Sequence, residues 1–211
     1  MVSDILHTVS FTLSDTDHVT YPEPDLIHAL NNACRMVVVI RPDAKSTIGT
    51  VTLAEGVKQV LPDEAMRLLD TYYNENGFPI QMVNRKDLDR AHLDWMNMKP
   101  ADKVYEVMYD ERIPHAFYVY PPAQAGIRIE LGYSLMPDVV TTSDDDFPLP
   151  EKYIPAVIEW MLYQLFAIDS TNPQAKQQAM AHSQQFYTVL QAKTRGDVMA
   201  APDTSKSGIA E

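Results

Sequence analysis

Residues able to do chemistry are present in this chain, but they are scattered. The six histidines, His7, His18, His28, His92, His115 and His182, show no ligand spacing, and only the run HLD sets a histidine, His92, beside a carboxylate, Asp94. Such a neighbour pair is the minimum for a metal site or a proton relay, and it is also what a solvated turn contains. Three consecutive carboxylates, Asp144, Asp145 and Asp146, suggest calcium. They lack the alternating ligand positions and central glycine of an EF-hand loop, and so read as a solvated acidic loop. Cys34 is the only cysteine, which rules out an internal disulfide or a multi-cysteine metal centre and makes it a small core residue. With 7 glycines and no GxxxxGK, GxGxxG, GxSxG or HExxH run, the chain has no phosphate cradle, dinucleotide turn, nucleophile elbow or zinc helix. Elimination points away from an enzyme, a cofactor or a metal and towards assembly, without naming the assembly.

The densest aromatic cluster lies in RIPHAFYVYPPA, residues 112–123. Side chains of an extended strand alternate between faces, so Phe117 and Val119 share one face, read as core, and Tyr118 and Tyr120 share a wetter one. A base-stacking platform needs cationic neighbours, whereas the flanking strands bring Glu106, Asp110, Glu111 and Glu130. The tyrosine face is therefore a candidate interface, with a sugar or small-molecule cleft built from Tyr72, Tyr73, Tyr118 and Tyr120 as the alternative. Trp95 and Trp160 read as core anchors. Pro121 and Pro122 have no N–H to give a ladder and are expected to end the strand.

Helical and strand periods show what must position these residues. Val2, Ile5, Leu6, Val9 and Leu13 predict a first helix, with Ser3 and Asp4 at its start. A second helix begins at Pro24 and Asp25, carries Leu26, Ile27, Leu30, Ala33, Cys34, Val37 and Val38, and is stopped near Arg41 by Pro42. The period then falls to two. STIGTVTLAEGVKQVLP predicts a hairpin turning at Glu55-Gly56, and MRLLDTYYN with FPIQMVNR predicts a second pair around Asn76-Gly77. KDLDRAHLDWM suits a short helix, and KVYEVMYDER, HAFYVYPPA and IRIELGYSL are three further strands. Beyond the acidic loop, Ile154, Val157, Ile158, Met161, Leu162, Leu165 and Phe166 form the stripe of a third main helix. Asn172-Pro173 opens a fourth, carrying Ala175, Ala179, His182, Phe186, Val189 and Leu190. From Gly196 on there is no period. The expectation is an α+β fold in which 1–42 and 149–195 supply the N- and C-terminal helices of one bundle. An antiparallel β-rich domain, 43–148, is inserted between them, and 196–211 is a flexible tail.

The chain has 211 residues, 45% of them hydrophobic, enough for one core or a core with a small satellite. Its 17 Lys and Arg face 29 Asp and Glu, a net charge of -12, which repels nucleic acid rather than gripping it. No apolar run approaches the roughly 18 residues of a membrane span. MVSDILHTVSF lacks the basic and apolar regions of a signal peptide, so the expectation is a protein made and kept in a cytoplasm, away from membranes.

The succession YPEPDLIHALNNACRMVVVIRPDA, TVTLAEGVKQVLP, MRLLDTYYN, DERIPHAFYVYPPA, IELGYS and YIPAVIEWMLYQLFAIDS resembles the adaptor proteins of tailed phages, the head-to-tail connectors of the neck, of podophage type. The resemblance spans about residues 3 to 193. Tyr21 stands where relatives tend to carry a tryptophan. The resemblance implies a virion protein, assembled in the host bacterial cytoplasm as a homo-oligomeric ring, commonly of about twelve copies. Such a ring docks under the portal protein, meets a tail or nozzle protein below and lets genomic DNA pass without specific binding. It also implies portal docking through the C-terminal segment, with Val198, Met199 and Ile209 as its apolar residues. Tyr118 and Tyr120 then belong to a tail-side or inter-subunit interface, and Asp144, Asp145 and Asp146 to a channel-facing loop. Another tail-completion or terminator ring is the neighbouring alternative.

Overall fold

The computed structural model describes residues 1–168 and 171–200. Its elements run α1 (Val2–Thr12), α2 (Glu23–Ile40), β1 (Ser46–Thr52), β2 (Gly56–Val60), β3 (Ala65–Asn74), β4 (Gln81–Met82), α3 (Arg85–Ala91), β5 (Glu106–Tyr109), β6 (Ala116–Ala123), β7 (Arg128–Leu135), α4 (Ile154–Ile168) and α5 (Pro173–Ala200), an α+β fold. The chain forms two compact units, one of Met1–Val37 with the chain from Val139 on, the other Val38–Asp138.

The helical unit is built from stripes. Val2, Ile5, Leu6 and Val9 of α1 are buried, as are Leu26, Ala29, Leu30, Ala33, Cys34 and Val37 of α2. In α4 the buried residues are Ala156, Val157, Met161, Leu162 and Leu165; in α5 they are Ala175, Ala179, Phe186 and Leu190. Spacings of three and four put each set on one helix face, where burial of its apolar area stabilises the bundle. Trp160 packs its ring on Phe186, 4.6 Å between centroids. Helix ends follow local chemistry. Arg41, ahead of Pro42, leaves the helical region, and α2 stops at Ile40. Asn172 Oδ1 accepts the N–H groups of Gln174 and Ala175 at 3.0 and 3.4 Å, capping α5 behind Pro173.

Two loops of this unit are held by side chains. Asp15 accepts from the N–H groups of Tyr21, Thr20 and Val19, which holds its carboxyl below the usual range. The Tyr21 hydroxyl donates to Leu165 O at 3.2 Å. Asn31 pairs with both backbone groups of Val140, accepting its N–H at 2.9 Å and donating to its carbonyl at 2.8 Å. That clamp, together with the Ser3 N–H donating to Ser143 O at 3.1 Å, accounts for the residues after Val139 grouping with the helices rather than with the strands. The last helix also runs further than its period: α5 continues through Gly196 to Ala200. One glycine inside a helix costs about 1 kcal/mol, too little to end it where alanine and methionine follow. Ile209 and the rest of the expected tail lie outside the described residues.

The β unit has a three-stranded antiparallel sheet, β1-β7-β3, and a four-stranded sheet, β2-β6-β5-β4, in which only the two-residue β4–β5 pairing is parallel. Val51, Leu53, Leu68, Ile80, Val107, Phe117, Val119, Ile129 and Leu131 form its core. The expected β1–β2 hairpin does not form: β1 pairs with β7 from Ser46 opposite Ser134 to Thr52 opposite Arg128, and β2 pairs with β6. Buried Gln59 supplies what the missing pairing would have. Its Oε1 accepts from Ala54 N at 2.8 Å, and its Nε2 donates to Ala54 O at 2.8 Å and to Gly56 O at 3.0 Å.

Nor do Pro121 and Pro122 end β6, which runs on to Ala123. They lie where β2 shifts register, between the Lys58–Tyr118 and Gly56–Ala123 pairs, so no ladder asks them for an N–H. On the other side Pro122 serves as an acceptor, Ala101 N donating to its carbonyl at 2.8 Å. The turn at Asn76-Gly77 does form, with Gly77 at φ +80 and Ile80 N donating to Tyr72 O at 2.9 Å, before β4 leaves β3 for β5. Here Asn74 acts as Asn31 does, bonding Val104 N and O at 2.9 and 2.7 Å.

Candidate interaction surfaces

His92 and Asp94 make separate contacts rather than one with each other. His92 stacks on Tyr120, centroids 5.2 Å apart at 16°, and Asp94 Oδ1 accepts from Asn97 Nδ2 at 2.5 Å. Among the described residues no three His, Cys, Asp or Glu side chains converge on a metal position, and no helix is long and apolar enough to cross a membrane.

The acidic loop separates into two kinds of carboxylate. Asp145 accepts from the N–H and hydroxyl groups of both Thr141 and Thr142, at 2.7 to 3.1 Å, and these donors hold its carboxyl down at about 2. It fastens the loop on itself. Asp144 and Asp146, on either side, are exposed and offer their charge to whatever lies outside.

Tyr118 and Tyr120 do face away from Phe117 and Val119, which are fully buried, but their face is not bare. A satellite core of Leu88, Trp95 and Met108 packs against both tyrosines, with α3 and the turn after it as the covering layer. Trp95 is anchored there by its Nε1 donating to Asp89 Oδ1 at 2.9 Å. The outside of that layer carries an apolar group that the sequence pattern does not isolate, Leu93 at 93% exposure, Met96 at 49% and Met98 at 46%. HLDWMNM has no period; its one signal is three large apolar side chains around a tryptophan with a single carboxylate among them.

The tyrosine cleft is not assembled as a unit. Tyr72 and Tyr73 belong to β3 and the three-stranded sheet, Tyr118 and Tyr120 to β6 in the other. Tyr73 borders a cavity of about 370 Å³ with Thr50, Glu75 and Arg128. Tyr118 borders a different one, about 550 Å³, with Arg85, Lys86, Asp110 and Arg112. In the second, the Arg112 guanidinium bonds Asp110 and holds its carboxyl at about 2. The cations there are largely answered by carboxylates.

The C-terminal helix offers a different kind of surface. With 28 residues against 15 in α4, α5 is about 42 Å long against about 22 Å at 1.5 Å per residue. Its last buried side chain among those described is Leu190, and Val198 and Met199 fall on the helical backbone beyond.

No curated protein matches this sequence. The family model described as SU10 adaptor protein does, over residues 2–206, and so takes in both units and all of α5. The chain therefore belongs to the SU10 adaptor protein family and is a phage structural adaptor, as its order of motifs implies.

Proposed function

We propose that this adaptor forms a ring, of about twelve copies by analogy with neck connectors, that joins the portal protein to the tail or nozzle protein and continues the DNA channel. The observation that carries the reading is the family match across nearly the whole chain. The architecture is compatible with it. A helix that outruns its partner provides an element for portal docking, with Val198 and Met199, and in sequence Ile209, as its apolar contacts. A tail-side or inter-subunit contact is assigned to the Tyr118 and Tyr120 face through its cover, where Leu93, Met96 and Met98 are exposed. Asp144 and Asp146 suit a wall past which DNA slides without sticking, and a net charge of -12 keeps the whole chain from gripping it. Asp145 serves that loop as its fastener.

The test is cryo-electron microscopy of the full chain mixed with portal from the same phage. A symmetric ring stacked on the portal is expected, with the chain beyond Leu190 against it. Truncation after Arg195 is expected to abolish docking while leaving the fold intact. Unchanged binding by the truncated chain moves the docking site elsewhere, and no association with an intact portal overturns the reading.

A further inference from the structure

Four strand edges bound the two sheets, and three of them are poor templates for further pairing. β2 carries Lys58 and a register shift, β4 has two residues, and β3 carries Arg67, Asp70 and three register shifts and is bonded at its end by its own chain returning through Phe78 and Ile80. The fourth, β1, has none of these protections. From Ser46 to Ala54 it contains no charge and no proline, and it pairs with β7 through seven successive positions without a bulge. Lys45 O accepts from Leu135 N at 2.9 Å and Leu53 N donates to Ile127 O at 2.9 Å, which fixes the alternation. Residues 45, 47, 49, 51 and 53 turn their backbone groups to β7, so Ser46, Ile48, Thr50 and Thr52 turn theirs outward. No strand lies outside β1 among the described residues, and Ile48 on this edge is 58% exposed.

We infer that β1 is a self-association edge, pairing antiparallel with β1 of a second copy about Gly49. The outward residues are placed symmetrically about that glycine. In this register Ile48 lies opposite Thr50 of the second copy and Ser46 opposite its Thr52, so every outward N–H and C=O finds a partner. The side-chain pairs are β-branched and hydroxyl residues, which favour one another across strands, and no like charges meet. A strand of unrelated sequence satisfies the backbone equally, but only the chain's own β1 brings the match in register and the absence of charge at once.

Such a contact is twofold, whereas neighbours in a cyclic ring meet through two different surfaces. The pairing therefore belongs to the free protein, and it stands or falls independently of the ring reading.

Sedimentation of the full chain in the absence of portal tests it, together with hydrogen exchange of the Ile48, Thr50 and Thr52 amides. A concentration-dependent dimer is expected, with those three amides protected in it and exposed on dilution. Thr50→Pro removes an outward N–H from each copy without touching the β7 ladder. It is expected to raise the dimer dissociation constant about thirtyfold, from two lost hydrogen bonds. Ile48→Lys, which sets two cations near each other on an exposed face, is expected to act in the same direction and keeps the test valid should the proline variant not fold. A monomer at every concentration, a dimer indifferent to both substitutions, or a dimer in which the three amides exchange freely overturns the inference.

Discussion

The helical unit and the β unit answer the same requirement, that no buried backbone group go unpaired, in opposite ways. In the helices the backbone pairs with itself locally, and side chains are needed only at ends and loops, as at Asn172, Asp15 and Asn31. In the β unit the ladders are interrupted by register shifts in β2 and β3, and side chains enter the core to replace them. Gln59 and Asn74 are both buried and each bonds the N–H and carbonyl of another residue. A helical bundle can thus lose a polar side chain at its margin, while the strand unit depends on two at its centre.

The largest test of this distinction is a pair of cavities. Phe117→Ala and Phe186→Ala each empty a fully buried site and are expected to cost about 3 to 5 kcal/mol. Hydrogen exchange should show the loss confined to β5, β6 and β7 in the first and to α4 and α5 in the second. Loss of protection throughout the chain in either variant merges the two units into one cooperative body. Next comes the pair of amide clamps. Asn74→Ala strands the buried backbone groups of Val104 and is expected to cost about 3 kcal/mol, whereas Asn31→Ala, at a part-buried site, should cost about 1 kcal/mol. Equal losses in denaturant titrations remove the contrast.

The smallest effect is electrostatic. Asp145 and Asp110 both titrate at about 2, below the ordinary carboxylate value, so each contributes stability that is present above about pH 4 and is lost as pH falls towards 2. Their causes differ. Neutral donors, first of all the Thr141 N–H, hold Asp145, while the Arg112 guanidinium holds Asp110. Added salt should therefore raise the Asp110 value towards normal and leave Asp145 where it is, read by carboxyl chemical shifts during titration. Parallel shifts of the two are the contrary result.

The same contrast decides what could be read beforehand. Helical stripes, the Asn172-Pro173 start and the stop at Pro42 are local, and each stood in the sequence in the form in which the fold uses it. So did the alternation of Phe117 and Val119 against Tyr118 and Tyr120. Partner choice is not local: alternation marked STIGTVT and GVKQV as strands but held no information that they join different sheets. Gln59, polar between Lys58 and Val60, looks like a surface residue until the connection it closes is known. The place of the β6 prolines in a register shift depends on β2, about sixty residues earlier, and so is not local. For the proposed docking surfaces, Leu93, Met96 and Met98 were hidden by the absence of any period, and the reach of α5 by a single glycine.

A clamp made by a side chain also has a different inheritance from a rung made by the backbone. Any residue but proline can occupy a rung and keep its hydrogen bond, so a strand can drift in sequence and still pair. Only an amide of the right length keeps both bonds at positions 59 and 74, because a carboxylate loses the donor and an alkyl chain loses both. Backbone pairing thus asks little of side-chain identity along the strands beyond what the core requires, whereas positions 59 and 74 must remain amides for the connections between strands to close.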